Sequence, residues 1–127
     1  MKKILIIDDE EDFCFFIKKN LEAKGNFEVS TSCNAKEALG LAQSLHPDLI
    51  LLDILMPQQS GTQVAEELKN NNETKNIPIV FVTAIITPEE IEIKGNFIKG
   101  NHVLAKPVTM DKLRSIITML TESRRNS

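Results

Sequence analysis

The composition of the 127-residue chain, with 42% hydrophobic and 26% charged residues, is that of one globular domain with a single core. A net charge of −3 without a long basic stretch gives no support to nucleic-acid binding, and every apolar run is far shorter than the ~20 residues of a membrane-spanning helix. The amino-terminal apolar run stops at Asp8, which argues against export, and Cys14 and Cys33 lack disulfide or metal spacing. We therefore expect a protein of the reducing cytoplasm without membrane attachment.

Short apolar runs alternate with helical patterns along the whole chain. Asn34 with Glu37, and Ser60 with Gln63, have the spacing of capping boxes and predict the starts of two helices. In chain order, the predicted elements are a strand at 3–8, a helix at 10–25, a strand at 27–32, a helix at 34–45, a strand at 48–53, a helix at 60–71, a strand at 77–84, a short helix at 87–95, a strand at 102–105 and a helix at 109–123.

The strands at 3–8, 48–53 and 77–84 are apolar on both faces, which is typical of a parallel sheet covered by helices on both sides. Because crossover connections are right-handed, the pattern predicts a doubly wound α/β fold. Within the first helix, the 3.6-residue period predicts a buried face formed by residues 13, 16, 17 and 21, with Phe15 on the opposite side.

Polar residues stand where the predicted strands end, at the edge of such a sheet where ligands bind. The first strand ends in Asp8 and Asp9, the third in Asp53, the fourth in Thr83 and the fifth in Lys106. Three carboxylates this close repel one another unless one is protonated or a cation lies among them, and Mg²⁺ prefers such hard oxygen ligands. A carboxylate can also act as a nucleophile, so the sequence predicts an aspartyl-phosphate at Asp53.

The segments "IIDDE", "PDLILLDILMPQQSG", "VTA" and "AKP" together resemble the response-regulator receiver domain of two-component signalling, in order and spacing, over essentially the whole chain. The resemblance implies a flavodoxin-like fold with a five-stranded parallel sheet of strand order 2-1-3-4-5. It also implies that residues 1–127 form one receiver domain, and we expect no output domain after the last helix.

The resemblance assigns four residues to Mg²⁺. Asp53, the phospho-acceptor, and Asp9 would bind the ion directly, Asp8 would assist through water, and Leu55 would offer its backbone carbonyl.

The resemblance also assigns roles to the residues around the phosphoryl group. Thr83 would sense it and Lys106 would pair with it, while the Lys106–Pro107 peptide bond would be cis. Gly61 would let the loop after the third strand turn into its helix. The family often has an aromatic residue three positions before the lysine, as a rotamer switch; Val103 stands there, and the chain has no Tyr.

Three functions use this set of residues: a signalling switch, a Mg²⁺-dependent phosphohydrolase working through an aspartyl-phosphate, and a pseudo-receiver that is not phosphorylated. Many such hydrolases have a DxD after the first strand, whereas the paired acids here are adjacent, and a pseudo-receiver would lack one of the key residues. We therefore expect a switch that takes its phosphoryl group from a histidine kinase or phosphotransfer protein, in a phosphorelay or two-component system. It would be no enzyme beyond its own phosphorylation and slow self-dephosphorylation.

The resemblance further implies which surface contacts the downstream partner and how long the phosphorylated state lasts. The downstream protein partner would contact the helix at 87–95, the strand at 102–105 and the last helix at 109–123. Leu55 and Ile85, two residues after the acceptor and two after the threonine, would flank the hydrolytic water. Since neither side chain can orient water, we expect slow loss of phosphate.

Overall fold

The elements of the structure, a computed structural model that describes residues 1–84, 97–98 and 100–125, follow the predicted alternation. The helix predicted at 87–95 lies outside the described residues, as does Ile85. The elements are β1 (Lys2–Ile7), α1 (Glu11–Glu22), β2 (Phe27–Ser32), a 3₁₀ turn (Ala35–Glu37) leading into α2 (Ala38–Leu45), β3 (Leu49–Asp53), α3 (Gly61–Lys69), β4 (Ile79–Thr83), β5 (Phe97–Ile98), β6 (Asn101–Ala105) and α4 (Met110–Arg125).

The strands form a six-stranded sheet in the order β2-β1-β3-β4-β6-β5. The first five are mutually parallel, so the predicted doubly wound sheet of order 2-1-3-4-5 is confirmed for the five predicted strands. The sequence did not predict β5, which pairs antiparallel with β6. A strand of two residues is too short to show an alternating pattern.

Two apolar layers cover the sheet, because successive side chains of each strand point to opposite faces. One layer joins the strands to α2 and α3, and the other joins them to α1 and α4. The predicted cover of helices on both faces is therefore confirmed. Among the helices that the structure describes, none has both the length and the apolar character to cross a bilayer.

The buried face of α1 differs from the prediction. Cys14, Ile17 and Leu21 are buried, whereas Phe16 is 50% exposed, so placing residue 16 in the core was wrong. Helical periodicity accepts both sets, because residues 14, 17 and 21 have the spacing i, i+3, i+7 and residues 13, 16, 17 and 21 have the spacing i, i+3, i+4, i+8. The sequence prediction favoured the set that contains two large aromatic side chains. Phe15 is exposed, as predicted.

The starts of two helices show which capping boxes form. The Ser60–Gln63 box is present at the start of α3, where the loop after β3 ends. The Asn34–Glu37 box is not formed: Asn34 accepts a hydrogen bond from the Lys36 backbone N–H, and Glu37 instead accepts one from Ser32 Oγ at 2.6 Å.

Candidate functional site

Four of the predicted site residues converge at the carboxyl edge of the sheet. Asp8 follows β1 and is 1% exposed, Asp53 is the last residue of β3 and is 5% exposed, and Thr83 ends β4 and is fully buried. Lys106 follows β6 directly, and its backbone N–H donates to the Thr83 carbonyl at 2.9 Å, which ties the ends of β4 and β6 together.

The backbone around Asp53 is fixed by its contact with the start of α3. The Gly61 N–H donates to the Ile54 carbonyl oxygen at 2.7 Å. A Cβ added at Gly61 would lie 2.1 Å from the Asp53 carbonyl oxygen, far inside van der Waals contact. Glycine is therefore required here because two backbones approach closely, and the first turn of α3 packs directly against the backbone of Asp53.

Lys106 brings the positive charge of the site. Its Nζ lies 2.5 Å from Glu10 Oε1, 2.8 Å from Asp8 Oδ2 and 3.9 Å from Asp53 Oδ2, and it stands 4.4 Å from the centre of the Phe13 ring. Burial lowers the pKa of this ammonium, but its bonds to Asp8 and Glu10 outweigh that effect and leave the pKa above its usual value. Lys106 therefore stays charged at neutral pH.

The two buried carboxyls have unfavourable electrostatics. Burial is the main cause that raises the pKa of Asp53 to about 7, and the charges of Asp8 and Asp9 add to the rise while Lys106 opposes it. Burial also raises the pKa of Asp8, although hydrogen bonds from Lys106 and from the Glu10 backbone counteract it. The single Lys106 ammonium therefore does not fully offset the cost of ionising both buried carboxyls.

The acidic cluster fits a hard divalent cation. Among the residues that the structure describes, Asp8, Glu10 and Asp53 have carboxylate oxygens within 4.8 Å of one another. Carboxylate oxygens of this kind, two of them buried and partly uncompensated, are the donor set that Mg²⁺ prefers. A cation here would relieve the repulsion from Asp8 and Asp9, which adds to the effect of burial on the pKa of Asp53.

The predicted metal ligands are placed as follows. Asp8 and Asp53 belong to the cluster, and Asp9 is exposed but near enough to Asp53 to affect its pKa. The Leu55 side chain is exposed, and the use of its backbone carbonyl as a ligand stays a prediction. Sequence reasoning missed Glu10, whose only signal was its place after the paired acids in "DDE".

A family model described as the response regulator receiver domain matches residues 4–118. The chain belongs to the response-regulator receiver family. The predicted resemblance and fold class are thus confirmed.

Relatives of this receiver extend the match. It is 40% identical over 83 residues to the polar-differentiation response regulator DivK of Brucella ovis, covering 65% of this chain and 67% of that protein. It is 31% identical over 123 residues to a probable cyclic di-GMP phosphodiesterase of Vibrio cholerae, covering 97% of this chain but only 27% of that protein. A solved two-component response regulator from Clostridium difficile has 31% identity, a TM-score of 0.81 and full coverage of both chains.

Two further expectations from the resemblance concern β6 and the residues that follow it. The Lys106–Pro107 peptide bond is cis, as the resemblance implied. Val103 is buried opposite Phe81, within the core on the α2–α3 side. His102 pairs instead with Val80, whose side chain belongs to the core on the α1–α4 side. No aromatic side chain at position 103 can therefore swing between the core and the surface in this receiver.

Proposed function

We propose that this receiver accepts a phosphoryl group on Asp53 from a histidine kinase or a phosphotransfer protein, in a reaction that depends on Mg²⁺. In that reaction an Asp53 carboxylate oxygen forms a bond to phosphorus while the bond between phosphorus and the donor imidazole breaks. The observation that carries the proposal is a buried carboxylate with an ammonium 3.9 Å away and two further carboxylates beside it.

The chain's own residues have distinct tasks in this transfer. Asp53 must be ionised to attack, and a pKa of about 7 means that a large fraction is protonated in the metal-free protein at neutral pH. Asp8 and Asp53, with Asp9 close by, would hold Mg²⁺, which would neutralise charge on the carboxylates and the transferring group. Lys106 offers a second positive charge to the phosphoryl oxygens.

The signal would leave through a protein partner. Thr83 is tied through its carbonyl to Lys106, at the end of β6, so a change at the phosphoryl site reaches β6 directly. Phe97 on β5 and Met119 on α4 are large apolar side chains that remain about half exposed. These features support β6 and α4 as parts of the predicted contact surface. The third predicted part, the helix at 87–95, lies outside the described residues.

The test is phosphorylation by acetyl phosphate with MgCl₂, followed by intact mass spectrometry. The wild-type protein should gain one phosphoryl group, and the gain should vanish with EDTA or in Asp53→Asn. Asp48→Asn is the matched control, because Asp48 lies just before β3 and its side chain accepts from the Lys3 N–H, which an amide oxygen can also do. It should be phosphorylated like the wild type.

Two results would contradict the proposal. Normal phosphorylation of Asp53→Asn would place the acceptor elsewhere. Steady turnover of a phosphomonoester such as p-nitrophenyl phosphate, abolished by Asp53→Asn, would instead support a Mg²⁺-dependent phosphohydrolase.

A further inference from the structure

The position of Lys106 is set by residues on the β1–α1 side of the site. Its Nζ is 2.5 Å from Glu10 Oε1 and 2.8 Å from Asp8 Oδ2, but 3.9 Å from Asp53 Oδ2. The Phe13 ring lies on the same side, 4.4 Å from Nζ. The ammonium is therefore held beside the acceptor carboxylate and not in a direct hydrogen bond with it.

The two close carboxylate partners differ in what happens when Lys106 leaves. Asp8 is 1% exposed, and the ion pair with Lys106 is the contact that its Oδ2 makes among the described residues, so losing it would leave a buried charge uncompensated. The Glu10 side chain is 60% exposed, so water can replace the ammonium there. Glu10 is thus the partner that Lys106 can give up at small cost.

The location of Glu10 makes its release easier still. Glu10 is the residue immediately before α1, and its side chain makes no capping hydrogen bond in the present arrangement. A carboxylate at that position is stabilised by the free N–H groups and the positive end of the helix dipole. Once separated from Lys106, the Glu10 carboxylate can turn to the first turn of α1.

We propose that Glu10 is a positioning residue that holds Lys106 away from Asp53 in the unphosphorylated receiver and gives it up when a phosphoryl group arrives. Lys106 keeps its contact with Asp8 and exchanges Glu10 for a phosphoryl oxygen. Glu10 therefore competes with the phosphoryl group for the ammonium and weakens the phosphorylated state. This inference rests on the proposed phosphorylation of Asp53.

The experiment measures the affinity for beryllofluoride, a non-hydrolysable analogue of the phosphoryl group, in saturating MgCl₂ by NMR titration. Since ion pairs with an exposed partner are worth about 0.2–1 kcal/mol, Glu10→Gln should bind beryllofluoride about 1.5–5-fold more tightly than the wild type. The gain should shrink in about 1 M salt, where the Debye length is only about 3 Å. The Lys106 ammonium signal of the free Glu10→Gln protein should also shift toward its position in the beryllofluoride complex.

Glu11→Gln is the matched control, because Glu11 is the adjacent residue, is exposed and undergoes the same change in charge. It should bind beryllofluoride with the affinity of the wild type. If both variants bound beryllofluoride more tightly by the same factor, the effect would come from net charge alone, and the role of Glu10 would be overturned. A more than tenfold loss of Mg²⁺ affinity in Glu10→Gln, measured by calorimetry, would identify Glu10 as a metal ligand and also overturn it.

The remaining outcomes separate this inference from the proposed function. If the wild-type protein binds beryllofluoride and Glu10→Gln binds it no more tightly, the holding role of Glu10 is wrong and the phosphorylation site stands. If the wild-type protein binds no beryllofluoride and accepts no phosphoryl group, both are wrong.

Discussion

Replacing Gly61 by alanine tests whether the start of α3 fixes the position of Asp53. A Cβ there would lie 2.1 Å from the Asp53 carbonyl oxygen and 2.9 Å from Ile54 Cα, both backbone atoms. The two backbones would have to separate by roughly 1 Å or more to restore ordinary contact. Gly61 has no positive φ, so the whole effect comes from this close approach.

Overpacking of this kind typically costs about 1–3 kcal/mol, and we expect Gly61→Ala to reach at least the upper part of that range because backbone must move. Gly40 is the matched control: it lies inside α2, and a Cβ there meets nothing within 4 Å. Gly40→Ala should stabilise the protein by about 0.5–1 kcal/mol through higher helix propensity.

Urea unfolding followed by far-ultraviolet circular dichroism measures both changes, since the chain has no Trp or Tyr for fluorescence. With a slope of about 1–3 kcal/mol per molar urea, the midpoint should fall by about 1 M or more in Gly61→Ala and rise slightly in Gly40→Ala. A displaced Asp53 should also slow phosphorylation by acetyl phosphate by about tenfold or more. Wild-type stability and wild-type phosphorylation of Gly61→Ala would refute the reasoning.

Two further predictions concern pH and the lifetime of the phosphate. Burial raises the pKa of Asp53 to about 7 from a usual 3.8, so ionised Asp53 destabilises the metal-free fold, and stability should fall as pH rises from 4 to 7. In EDTA, the free energy of unfolding of Asp53→Asn should therefore rise relative to that of the wild type as pH increases from 4 to 7. The rise should total a few kcal/mol, since one unit of pKa shift corresponds to about 1.4 kcal/mol. A difference between the two proteins that does not change with pH would contradict this. Leu55→Asn combined with Ile85→Glu should shorten the phosphorylated lifetime by up to ~10²-fold without changing the Mg²⁺ requirement, measured as decay after donor removal; an equally short wild-type lifetime would refute it.

The sheet could be predicted from the sequence because each strand is indicated by its own short apolar run and such runs recur along the chain. Each long apolar run marks a strand buried on both faces, and β2 was predicted with the bounds Phe27–Ser32 that the structure has. The errors lie where several arrangements satisfy the same pattern. The buried face of α1 is one such case, since the period accepts either Cys14 or Phe16 and only contact with the sheet decides between them.

At the candidate site, too, some contacts could be predicted from the sequence and others could not. Parallel strands bring their carboxyl ends to one edge, so topology alone predicted that Asp8, Asp53 and Lys106 would meet. Topology does not predict which of the adjacent acids reaches the lysine, because that depends on the chain's direction as it leaves β1. Asp8 is still buried at the strand end, and the backbone then carries Glu10 round to Lys106, with the Glu10 N–H donating to Asp8 Oδ1 at 2.9 Å. The contact between Lys106 and Glu10 therefore depends on a turn of two residues, which is too short to produce a periodic pattern in the sequence.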